Sequence, residues 1–135
     1  MPHLILEHSS NVALPDPVRD LLSDLHASLA ETAGVDPAGC KSRIYRSDDF
    51  FVGAAETGTG ALERRAFIHL QVSLLPGRSD EEKSRVADGC LALLKAAILP
   101  ENQRLDLQIT VDIRDLNRVA YAKYVAYASE NDRPS

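Results

Sequence analysis

Three features of this chain predict an α+β fold, with two consecutive β-α-β units forming a four-stranded sheet that carries two helices on one face. Residues 66–74 and 105–113 alternate apolar and polar side chains with the period of two expected of strands. Residues 18–29 and 86–98 repeat apolar side chains at helical spacing. The order strand, helix, strand then occurs twice, each time over a length that suits a right-handed crossover.

The first half opens at once. Residues 3–9 are a short, mostly apolar run that reads as a strand. Asp16 and Pro17 offer a helix N-cap followed by proline at the first helical position. Val18, Leu21, Leu22, Leu25 and Leu29 form the apolar stripe of that helix, and Gly34 can end it. Residues 40–46, and then 50–52, return as extended chain. In the second half Ala66, Ile68, Leu70, Val72 and Leu74 share one strand face, while Phe67, His69, Gln71 and Ser73 share the other. Pro76-Gly77 breaks this strand, and Ser79 with Glu82 forms an S-x-x-E capping box. Val86, Cys90, Leu94 and Ile98 stripe the second helix, which Pro100 closes. Leu105, Leu107, Ile109, Val111 and Ile113 alternate with polar residues in the last strand. Residues 116–128, with Val119, Tyr121, Tyr124, Val125 and Tyr127, read as a short helix.

A length of 135 residues fits one domain over 2–128, with halves at about 2–52 and 66–113, a helical tail, and a final stretch 129–135. Fifteen basic against twenty acidic residues give a net charge of -5, which argues against nucleic-acid binding through a basic patch. No run approaches the ~18 apolar residues of a membrane span, and the N-terminus lacks the pattern of a signal peptide. Cys40 and Cys90 stand alone without metal-site or redox spacing, which fits reduced thiols in a cytoplasm. His3, His8, His26 and His69 have no metal-ligand spacing, and His3 and His8 fall on opposite strand faces. No metal site is therefore expected. The sheet face opposite the helices, together with the apolar tail, points to contact with other subunits.

Nucleotide and hydrolase motifs are missing, and the glycine-containing stretch 53–60 reads as a flexible loop. Pro2 carries more information. A small residue after the initiator methionine permits its removal, which turns the Pro2 nitrogen into a secondary amine held by a strand. Burial or neighbouring cations would lower its pKa toward neutrality, as a proton-shuttling base requires. With Met1 retained, the same nitrogen is an amide and cannot accept a proton. Arg78 precedes the capping Ser79 at the positive end of the second helix, where a cation is unfavourable unless it helps to bind an anion such as a carboxylate. Lys41, Arg43 and Tyr45 share one strand face, and Arg46 points to the other.

The stretches PHLILEHSSN at the start, KSRIYR at 41–46, AFIHLQVSLLPGRS at 66–79 and LQITVDIRDL at 107–116 together resemble the 5-carboxymethyl-2-hydroxymuconate isomerase family of the tautomerase superfamily, over roughly residues 2–125. The resemblance implies a β-α-β plus β-α-β subunit, a homotrimer and no cofactor. It also implies that the N-terminal proline, Pro2, is the catalytic base acting on di- or tricarboxylate dienols from hydroxyphenylacetate breakdown. By the same resemblance Arg78 binds substrate carboxylate and Lys41 occupies a second substrate-binding position. That position can be arginine in the family, and lysine keeps its charge but loses the bidentate fork. Arg43 is an alternative for that role, and Phe67 and His69 line the pocket or serve the sheet. Two further functions fit the same residues: a tautomerase of another keto acid, such as a phenylpyruvate-like one, and a non-catalytic trimeric module that binds a small acid.

Overall fold

The computed structural model describes residues 1–55 and 61–128. Its elements run β1 (His3–Ser9), α1 (Val18–Ala33), β2 (Lys41–Ser47), α2 (Ala61–Arg64), β3 (Arg65–Leu74), α3 (Asp80–Ile98) and β4 (Asp106–Asp115), with short 3-10 turns at Pro37–Gly39, Leu99–Glu101 and Arg118–Ala120. The four strands form one sheet in the order β2-β1-β3-β4. Each β-α-β half pairs its own strands in parallel, β1 with β2 and β3 with β4, and the halves meet through the antiparallel pair β1/β3. The architecture is the expected α+β one, with the strand order added.

Period-two patterning decides which face is covered. Leu4, Leu6 and His8 of β1 and Ala66, Ile68, Leu70, Val72 and Leu74 of β3 are buried. The apolar ones among them meet Leu21, Leu25 and Leu29 of α1 and Val86, Cys90, Leu94 and Ile98 of α3. Both helical stripes are those legible in the sequence. Gly89 lets the helices approach, since a Cβ there would lie 3.0 Å from Ser28 Oγ. The expected ends of the helices are also present. Gly34 closes α1 in the left-handed region at φ 67°, and Ser79 and Glu82 form both halves of the capping box on α3.

Three local expectations are corrected. Pro17 is itself the N-cap of α1, extended at ψ 139° and without a side-chain cap. Asp16 therefore stands one residue too early to reach the first helical N–H groups. Residues 50–52 join no strand. Instead Phe50 packs edge-on to Phe67 with ring centroids 6.2 Å apart, and Val52 O accepts from Arg65 Nη1 at 2.9 Å. Residues 116–128 form no α-helix beyond the 3-10 turn Arg118–Ala120. Leu116 N donates to Leu74 O at 2.6 Å and Arg118 Nη2 to Pro76 O at 3.0 Å, so this segment is tied to the end of the sheet. Its Val119, Tyr124 and Tyr127 are 98%, 89% and 80% exposed, so no buried stripe rewards helix formation. Glycines 58 and 60 of the expected loop, and the final stretch 129–135, lie outside the described residues.

Leu70, fully buried in the inner strand β3, tests this core. Leu70→Ala should cost about 2–5 kcal/mol of unfolding free energy in a denaturant titration. A loss below about 1 kcal/mol would show that the two helices do not pack on this face as described.

Candidate active site

One end of the sheet gathers the groups with chemical potential. β1 and β2 begin there and β3 and β4 end there, because β1 runs antiparallel to β3. Pro2, just before β1, is fully buried, and its carbonyl accepts from Lys41 N at 3.1 Å, which joins the terminus to β2. Met1 precedes it, so the Pro2 nitrogen in this chain is an amide. The Met1 α-amine has its pKa lowered, first by burial and then by Lys123, Lys41 and Arg78, while Cys40 opposes them. The terminus therefore lies in a positive field built by three separate segments.

Strand register lays out the face not covered by helices. Lys41, His3, Ser73 and Arg114 form one row across it, and Arg43, Ile5, Gln71 and Asp112 form the next. Lys41 and Arg43 share this exposed face, as expected. Lys41 Nζ donates to Gly39 O at 2.9 Å. His3 Nε2 is hydrogen-bonded to Tyr121 Oη at 3.1 Å, and its buried Nδ1 has no partner among the described residues. Burial first, then Arg43, Lys41 and the chain terminus, lower the His3 pKa.

Arg78 sits at the same end but faces a different helix from the one expected. Its Nε and Nη2 donate to Ala33 O at 3.3 and 3.0 Å, and Nη1 donates to Leu75 O at 3.1 Å. Ala33 is the last residue of α1, so the cation lies at the negative end of that helix. The unfavourable placement inferred from its neighbour Ser79 is thereby corrected. Three of its five N–H groups are used, and two remain.

The other histidines are structural partners. His8 Nδ1 lies 2.9 Å from Ser9 O, His26 Nε2 3.0 Å from Ser42 Oγ, and His69 Nδ1 2.6 Å from Thr110 Oγ1. Phe67 and His69 thus belong to the sheet face, away from Pro2. Sequence reasoning missed Lys123, whose Nζ lies 2.7 Å from Met1 Sδ, and Tyr121. Both fall in the segment expected to be helical. Lys41, Lys123, Asp36, Gly39 and Tyr127 line part of a recess of about 400 Å³ beside the terminus.

The family model described as 5-carboxymethyl-2-hydroxymuconate isomerase matches residues 2–129. The chain belongs to the 5-carboxymethyl-2-hydroxymuconate isomerase family. Membership makes it an isomerase of the tautomerase superfamily. Among solved structures, a 5-carboxymethyl-2-hydroxymuconate isomerase from Deinococcus radiodurans R1 is 28% identical with a TM-score of 0.73, over 91% of this chain and 88% of that one. A 5-carboxymethyl-2-hydroxymuconate delta-isomerase is 20% identical with a TM-score of 0.75, over 93% and 89%. A fused 4-OT, described as a symmetric trimer, shares the fold at 18% identity and a TM-score of 0.63, over 87% of each chain. No curated protein matches. No helix among the described residues is long and apolar enough to cross a membrane.

The bonds of Arg78 predict a stability role in this isomerase. Arg78→Ala should lower unfolding free energy by about 1–3 kcal/mol, since it leaves Ala33 O and Leu75 O without their guanidinium donors. An unchanged thermal midpoint would show that these bonds are not held in solution.

Proposed function

We propose that this chain, after removal of Met1, is a cofactor-independent isomerase that moves a proton on a carboxylate-bearing dienol or keto acid, 5-carboxymethyl-2-hydroxymuconate being the substrate of choice. The observation that carries this reading is the position of Pro2: fully buried at the sheet end where Lys41, Arg78 and Lys123 act on the chain terminus. The free secondary amine takes a proton from the dienol hydroxyl as the carbonyl forms, then returns one to a more distant carbon of the conjugated system, leaving the enzyme unchanged. Arg78, through its two remaining N–H groups, and Lys41 hold carboxylates and stabilise the developing negative charge. Arg43, exposed one row further along the sheet, is the alternative second ligand. Proton transfer of this kind contributes about 10² to 10⁴ in rate, and positioning supplies much of the rest. The working unit is a homotrimer of single domains over 2–128 in the cytoplasm. The exposed tyrosines of the last segment and the uncovered sheet face support subunit contacts.

Four measurements test this reading. Intact mass should show the loss of one methionine, and the Pro2→Leu variant, whose larger residue retains Met1, should lose at least about 10²-fold in kcat/KM. The base must be unprotonated, so kcat/KM of the processed enzyme should fall as pH drops through the amine pKa. Burial, Lys123, Lys41 and Arg78 lower the pKa of the Met1 amine, and the Pro2 amine exposed by processing stands beside the same groups, so the midpoint should lie below that of free proline amide titrated alongside. Full activity with Met1 in place would end the proposal. Light scattering should report about three times the 14.7 kDa chain mass, and a monomer across micromolar concentrations would remove the trimer.

A further inference from the structure

The segment after β4 does more than follow the last strand. From Leu116, bonded to Leu74 O, it crosses the end of the sheet, sets Tyr121 against His3, and brings Lys123 to Met1. The His3 and Tyr121 rings meet edge to face with centroids 6.1 Å apart, so this crossing has a packed contact as well as a hydrogen bond. Beyond it, Val125 and Tyr127 complete the wall of the 400 Å³ recess. That volume lies within the range of small-molecule sites, about 300–1,000 Å³.

The charges in this recess are unbalanced. Lys41 and Lys123 both line it, and neither forms an ion pair with a described residue. Asp36 is the acidic group of the lining, and its Oδ1 already accepts from Ala38 N at 3.0 Å. The polar contact of Lys123 is with the thioether of Met1, a weak acceptor for an ammonium. Removal of Met1 takes that sulfur away. Lys123 then loses that contact while Lys41 Nζ keeps its bond to Gly39 O, and two like charges line one recess, a repulsion that a bound anion relieves.

We propose that Lys123 is a specificity-determining residue: with Lys41 it holds a second carboxylate of the substrate in this recess, and the Tyr121–His3 contact keeps it there. The inference rests on the Pro2 reading above and adds Lys123 to the carboxylate position already given there to Lys41. A substrate with one carboxylate uses the Arg78 side alone. One with a further carboxylate, placed across the conjugated chain, also engages the lysine pair.

The test compares 2-hydroxymuconate, with two carboxylates, and 2-hydroxy-2,4-pentadienoate, with one. The measured quantity is the ratio of their kcat/KM values in the processed enzyme and in Lys123→Ala, Lys123→Arg and Tyr121→Phe. Lys123→Ala should lower the preference for the two-carboxylate substrate roughly tenfold or more, through KM rather than kcat, as expected for loss of a charge-assisted hydrogen bond. Lys123→Arg should keep the preference, and Tyr121→Phe should lower it less. If Lys123→Ala depresses both substrates equally, or leaves the ratio unchanged, the subsite is wrong even though the Pro2 mechanism stands. If the processed wild-type enzyme handles 2-hydroxymuconate no better than 2-hydroxy-2,4-pentadienoate, the subsite is wrong; if Pro2→Leu retains full activity, the Pro2 reading fails and the subsite falls with it.

Discussion

The antiparallel pairing of β1 with β3 is the constraint on which the rest depends. Each β-α-β half alone would be a two-stranded ribbon with one helix, too small to bury its apolar face. Joining the halves along β1 and β3 places Leu4 and Leu6 next to Ile68, Leu70 and Val72, under both helices at once. It also puts the start of the chain inside the sheet rather than at an edge. A strand that is buried from Leu4 onward leaves its preceding residue no freedom to fray, and Pro2 is accordingly enclosed. Because β3 runs the other way, its exit loop returns to the same end. That loop delivers Arg78 to the neighbourhood of the terminus.

The same end therefore concentrates positive charge in a protein whose net charge is -5. Lys41 comes from the first residue of β2, Arg78 from the β3–α3 loop and Lys123 from the last described segment. Far apart in sequence, they act together on one amine. The local sign opposes the global one, which favours drawing small anions to this end.

Much of the fold was legible because its determinants are local. The alternation in β3 and β4, the stripes of α1 and α3, Gly34 and the Ser79–Glu82 box each depend on residues within a few positions of one another. Pro2 and Lys41 could be selected for the same reason, aided by the resemblance to a known family. Three things were hidden because they depend on distant partners. The strand order β2-β1-β3-β4 is a property of the assembled sheet, which no single strand encodes. Arg78 was judged against Ser79, its neighbour in sequence, whereas its partner Ala33 lies 45 positions away. The segment 116–128 carries apolar residues at plausible helical intervals, yet its backbone binds Leu74 and its tyrosine binds His3, so tertiary contacts outweigh a weak propensity. Lys123 escaped notice along with it.

The bonds from Arg78 to Ala33 and Leu75 have a consequence for entropy. A free arginine surrenders about 1.5–2 kcal/mol of rotameric freedom when it is immobilised. Here the immobilisation is completed during folding, when the guanidinium locks across the end of α1 and the exit of β3. An anion meeting the two remaining N–H groups finds a fork already oriented, and its binding is spared that loss. Helix α1 thus acts as a mount: the rigidity of its final turn is passed to a guanidinium on the other side of the loop.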